Sequence, residues 1–165
     1  MNIRFVSLLA ALALTACGSS TSPAADAAVA PVDAPVATTA TLHGEISRTG
    51  MPRAGGVGDL FVAVFDRDPV VERDNAMVVA ATRLEAVDFS AADATVAYEV
   101  AEIPPRAEPY FVIAFLDDNG TVTDPTMAVP DSGDLITLQS FAAPTFTASE
   151  PARVELDLVL NFNLP

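Results

Sequence analysis

Between Phe115 and Ile136 the chain reads FLDDNGTVTDPTMAVPDSGDLI, which sets Asp117, Asp118, Asn119, Asp124, Asp131, Ser132 and Asp134 on one short connection. Carboxylate and amide oxygens at this density suit one chemistry above others, the holding of a hard cation. Calcium takes about six to eight oxygen ligands in a flexible cage, and Asp117 and Asn119 stand two apart, as ligands in calcium loops often do. Asp117, Asn119, Asp131 and Asp134 are the expected ligands. A second explanation needs no metal: Asn-Gly is a preferred turn pair, and Asp, Pro and Ser are turn residues in their own right. A solvated connection accounts for the same composition.

The loop departs from the EF-hand pattern, because Gly120 directly follows Asn119 instead of taking the sixth position and no Glu stands at the twelfth. Elsewhere the catalytic inventory is thin. His43 is the single imidazole and sits in a strand beside Gly44, where a structural or exposed role is expected. There is no Lys to form a Schiff base and no G-x-S-x-G elbow, and Ser132 in DSGD has no evident base partner. Carboxylates are abundant, but spacing selects no hydrolytic pair. With Trp absent, and Tyr98 and Tyr110 both inside strand-like runs, no aromatic platform for a sugar stands out. The chain is therefore expected not to be an enzyme.

Cys17 is the only cysteine, which excludes an intramolecular disulfide. It ends the stretch MNIRFVSLLAALALTAC, in which Arg4 and the amino terminus precede an apolar run from Phe5 to Ala16. That run is shorter than the roughly 20 residues a membrane-spanning helix needs, and it matches the hydrophobic part of a secretory signal. The tetrad Leu14-Thr15-Ala16-Cys17 resembles the lipobox of bacterial lipoproteins. The resemblance implies a signal peptide over 1–16, diacylglyceryl attached to the Cys17 thiol, and acylation of the amino group freed by cleavage. It implies a membrane partner reached through that lipid, in the cell envelope. Because Gly18 rather than Asp follows, the outer membrane is favoured over the inner. One acyl chain binds only marginally and more than one makes a stable anchor. Residues 17–40 carry the lipidated Cys17 and a linker of small residues and prolines with no aromatics, expected to be disordered.

The charge narrows the partners further. Eight basic residues, all Arg, face 22 acidic ones, for a formal net charge of −14. Such a chain repels phosphate backbones, so nucleic acid is excluded as a partner.

From Thr41 the pattern changes to short apolar or alternating runs bounded by Gly, Pro, Asn or Asp. TLHGEIS, DLFVAVFD, AMVVAATRL, ATVAYEVAEI, PYFVIAFLD, DLITLQSF and ARVELDLVLNF predict about seven strands. Val96, Tyr98 and Val100 fall on one face, as do Val154, Leu156, Leu158 and Leu160, opposite Glu155 and Asp157. PYFVIAFLD is apolar on both faces, which suits a covered central strand. Helix competes with strand over the Ala-rich stretch 76–94. The fold class expected for 41–165 is all-β, an antiparallel β-sandwich.

TLHGEISRTGMPRAGGVGDLFVAVFD and YEVAEIPPRAEPYFVIAFLDDNG are similar to the prealbumin-like, carboxypeptidase-regulatory-like sandwiches. Gly44, Gly50, Pro52, Val62, Val64, Ile103, Pro105, Tyr110 and Asp117 stand in comparable places, while the family's turn glycine is missing at Arg106 to Pro109. The resemblance implies a non-catalytic accessory or binding module. Together these features lead to the expectation of a lipid-anchored envelope protein whose β-domain binds a ligand or an envelope protein. Two alternatives stay open, a calcium-stabilised surface adhesion or ligand-binding module, and an accessory subunit or minor hydrolase of the envelope.

Overall fold

Alternation of Val, Phe, Leu and Tyr with polar residues fits a pleated surface that is wet on one side and dry on the other. The computed structural model describes residues 37–124 and 128–165. The signal peptide, Cys17 and the linker as far as residue 36 lie outside the described residues. Nine strands occur among those described: β1 (Ala40–Arg48), β2 (Val57–Phe65), β3 (Val78–Asp88), β4 (Thr95–Ile103), β5 (Arg106–Asp117), β6 (Leu135–Thr137), β7 (Thr145–Ala148), β8 (Arg153–Glu155) and β9 (Leu158–Asn163). No helix occurs among them, and the Ala-rich stretch that could have been helical supplies β3. Ala40, assigned to the linker on sequence, is instead a fully buried residue of β1.

The ladders join all nine strands in one sheet, ordered β3-β2-β5-β6-β9-β1-β4, with β7 beside β5 and β8 beside β1. The two end strands, β3 and β4, pack against each other without a ladder between them. The sheet thus curls almost into a barrel around its own apolar face. All-β is the class expected. The expectation of a purely antiparallel arrangement is corrected, because β1 runs parallel to both β8 and β9. Side-chain alternation reports which residues share a face; it carries nothing about the direction of the neighbouring strand.

The inner face holds Leu42, Ile46, Leu60, Val62, Val64, Val100, Leu158 and Leu160, all essentially inaccessible. Tyr98 and Tyr110 join them, as core packing requires, and their hydroxyls donate to the carbonyls of Leu156 at 2.7 Å and Pro104 at 2.6 Å. A buried phenol needs such a partner. Burial, helped by the charge of Asp157, pushes the Tyr98 hydroxyl well above its ordinary pKa. On the outer face Phe61 stacks on Phe115 at 4.9 Å between ring centres, and Ile136 completes a second, smaller apolar cluster. β5 is the strand that serves both: Tyr110, Val112, Ala114 and Leu116 point in, while Phe115 points out. Its apolar run on two faces thereby finds its reason.

The expected last strand, 152–162, is split at Leu156 and Asp157 into β8 and β9. Gly44 on β1 explains the break. The Leu156 carbonyl lies so close that a Cβ on Gly44 would overlap it. Around this point the Leu156 amide donates to the His43 carbonyl at 2.8 Å, and the Glu45 amide donates to Asp157 Oδ1 at 2.9 Å. β7 has no counterpart among the expected strands. It is four residues long and has one large apolar side chain, Phe146, which stacks on Tyr110 at 5.5 Å.

Candidate ligand groove and the acidic loop that frames it

The connection from β5 to β6 holds most of the acidic residues that sequence singled out, and their oxygens are largely spent on the chain itself. Asp117 Oδ1 accepts from the Thr121 amide and Oδ2 from the Val122 amide, both at 3.0 Å. Asn119 Oδ1 accepts from the Thr121 hydroxyl at 2.7 Å, and its Nδ2 donates to the Ser132 carbonyl at 3.3 Å and, at the limit of contact, to Asp131 Oδ1 at 3.5 Å. Asp134 Oδ2 accepts from the Asp131 amide at 2.9 Å. These bonds are turn chemistry, side-chain oxygens capping amides a few residues away. They tie the start of the loop to its end.

Asp118, not among the expected ligands, reaches across instead. Its Oδ2 accepts from the amides of Ala54 and Gly56 at 2.8 and 3.0 Å and so fixes the β1–β2 turn. Gly58 makes the approach possible, because a Cβ there would collide with the Asp117 carbonyl. Asp134 is fully buried. Burial pushes its carboxyl up to about 6, and the nearby charges of Asp131, Asp117 and Asp118 act in the same direction against the Asp131 amide. The structure therefore does bring Asp117, Asn119, Asp131 and Asp134 to one end of the sheet. Yet among the described residues no three Asp, Glu, His or Cys side chains stand in an arrangement that could hold a metal ion. The calcium expectation gains no support from this geometry. His43 is half-buried on β1 opposite Glu99, remote in sequence from the loop, and Ser132 offers the loop its carbonyl.

What the stapled loop positions is apolar. Ala128, Val129 and Pro130 form one wall of a groove of about 560 Å³ on the outer face of the sheet. Ile113 of β5, Phe65 of β2 and Ile136 of β6 line its sheet side. The β2–β3 connection, residues 66–77, supplies the opposite wall through Val70, and it is held by the same device. Asp66 Oδ1 accepts from the Met77 amide at 2.7 Å, Asp68 Oδ1 from the Val70 amide at 2.8 Å, and Arg67 pairs with Glu72 at 3.1 Å. Arg106 braces the start of this connection, donating to the Asp66 carbonyl at 2.7 Å while its guanidinium lies over the Tyr110 ring. Between these braced loops valines stay uncovered: Val78 is 55% exposed and Val129 62%.

Comparison with protein-family models, curated proteins and solved structures finds no match to this chain. The site must be read from its own residues. The groove has the volume usual for small-molecule sites, roughly 300–1,000 Å³, and their usual character, mostly apolar with few polar groups. Arg73 is its single charged residue. Sequence reasoning missed this groove. Val70, Val78 and Val129 lie far apart in the chain, and the two of them in connections stand among turn residues, so no periodicity marks them.

Proposed function

We propose that this protein is a lipid-anchored, non-catalytic binding module of the bacterial cell envelope, and that its β-domain holds an apolar ligand in the groove between the 66–77 and 118–134 connections. The observation that carries the binding half is the groove itself: uncovered valines over an apolar floor, framed by two loops braced by side-chain caps on their own amides. Exposed apolar surface gathered in one place, rather than scattered, marks an interaction site. The lipobox resemblance at Leu14 to Cys17 supports the anchoring half, and the likeness to prealbumin-like sandwiches supports an accessory rather than a catalytic role. A neutral solvatochromic dye tests the groove. It is expected to bind the full-length chain saturably, and Val129→Asp and Val70→Asp, both on exposed loop positions, are expected to weaken it at least tenfold with circular dichroism unchanged. Unaltered dye binding in both folded variants would remove the groove from the proposal.

A further inference from the structure

Seven arginines fall among the described residues, and most are committed. Arg48 donates to the carbonyls of Gly50 and Ser90, Arg67 pairs with Glu72, Arg83 with Asp59 and Glu85, Arg153 with Glu99, and Arg106 donates to three carbonyls. Arg73 makes no ion pair or hydrogen bond among the described residues, and it lines the apolar groove. Arg48, Arg53 and Arg106 also have no carboxylate partner among the described residues, but of the four only Arg73 faces the groove, where its charge can meet a ligand. A planar guanidinium suits a planar carboxylate, which it can take in a two-point fork. Every other residue lining the groove is apolar, so the complementary ligand is anionic at one end and hydrocarbon over the rest.

We propose that the groove binds a long-chain aliphatic monocarboxylate, with the carboxylate on Arg73 and the acyl chain laid along Val70, Val78, Ile113 and Val129. The assignment rests on the groove being a binding site at all, as proposed above. The geometry also bears on selectivity. The 66–77 connection carries Asp66, Asp68, Glu72 and Asp74 as well as Arg67 and Arg73, and three of those acids cap or pair within the loop: Asp66 and Asp68 hold amides and Glu72 holds Arg67. Arg73 is then the one cation at the groove, and a ligand bearing two or more negative charges meets repulsion from the acidic surface around it. A single carboxylate is favoured over a phosphate monoester or a dicarboxylate, each of which carries about two negative charges.

The test is calorimetric titration of the full-length chain, made by cell-free synthesis without membranes, with hexadecanoate and with its neutral counterpart hexadecan-1-ol, both below their aggregation limits. One equivalent of hexadecanoate is expected to bind about tenfold or more tighter than the alcohol, the scale of one charge-assisted pair at a partly wet site. Arg73→Gln is expected to abolish that preference while leaving the alcohol's affinity within about twofold, and Arg73→Lys to restore part of it. Val129→Asp is expected to weaken both ligands. Equal affinity for acid and alcohol in the unaltered chain overturns the carboxylate assignment while the groove stands. Preference for the acid that survives Arg73→Gln overturns it as well. Failure of both ligands to saturate, together with failure of the neutral dye, takes down the groove itself.

Discussion

Asp134 shows what one buried carboxyl does to the pH response of the whole fold. Its carboxyl titrates at about 6 in the folded chain against 3.8 for an unperturbed Asp. Between those values the folded state binds the proton and the unfolded state has released it. Stability from this group is therefore fully present below about pH 4 and is lost as pH rises through about 6. Two pKa units correspond to roughly 3 kcal/mol as an upper figure. Asp59 and Asp88 are shifted the other way, by hydrogen bonds from Ala86 with Arg83 and from Ser90 respectively, so their contributions vanish only in more acidic solution and leave this window clear. Asp134→Asn keeps an oxygen for the Asp131 amide and removes the titration. The variant is expected to match the parent near pH 4 and to exceed it by about 1–3 kcal/mol near pH 7.5, read by urea unfolding across the range. No gain at pH 7.5 would show that the carboxyl is not strained in the fold. The acidic loop was legible in the sequence as a place where oxygens gather, and its turn chemistry was legible too, in Asp117, Asn119 and Gly120. What those turns hold in place was not. The uncovered faces of Val70 and Val129 follow from the three-dimensional path of two loops, and nothing local encodes that path.

At the level of elements, alternation served well wherever a strand has one wet face. Val96, Tyr98 and Val100 lie on one side of β4 with Glu99 opposite and exposed, and Leu158 and Leu160 turn in from β9. The double-faced β5 was equally plain from its unbroken apolar run. Three features escaped because they depend on which strands meet. These are the parallel run of β1 beside β8 and β9, the continuity of the ladders through one sheet, and the break between β8 and β9. The break turns on Gly44, whose bare backbone lets the Leu156 carbonyl approach closely enough to take the Tyr98 hydroxyl as donor. Gly44→Ala is expected to destabilise the chain by about 1–3 kcal/mol, the usual range for forcing extra atoms into a packed site. It should also speed hydrogen exchange at the Leu156 amide, which donates to His43. A melting temperature unchanged within about 1 °C, with exchange at Leu156 unaltered, would mean that this crossing tolerates a side chain and that Gly44 is not what splits the strand.

For the whole molecule the decisive quantity is charge. A net charge of −14 with no lysine gives the protein no electrostatic hold on anionic headgroups, because membrane surfaces recruit proteins through clustered Lys and Arg. The outer-face apolar residues do not reverse this: the groove they line is sized for a ligand, and Glu72 and Asp74 stand exposed on the connection beside it. Lipid on Cys17, the one thiol, would supply a hold that this charge does not. Two consequences separate an anchor from an incidental cysteine. Wild-type protein should stay with the envelope fraction through washes of high salt and alkaline carbonate, conditions that strip charge-held proteins, and should leave only with detergent. Its intact mass should equal residues 17–165 plus a diacylglyceryl group and one further acyl chain. Cys17→Ser should accumulate as an unacylated precursor that retains residues 1–16. A variant recovered in membranes at the same mature mass as the wild type would show that cleavage and retention do not need the thiol, and the groove would then have to be understood in a protein held at the envelope by something other than its own lipid.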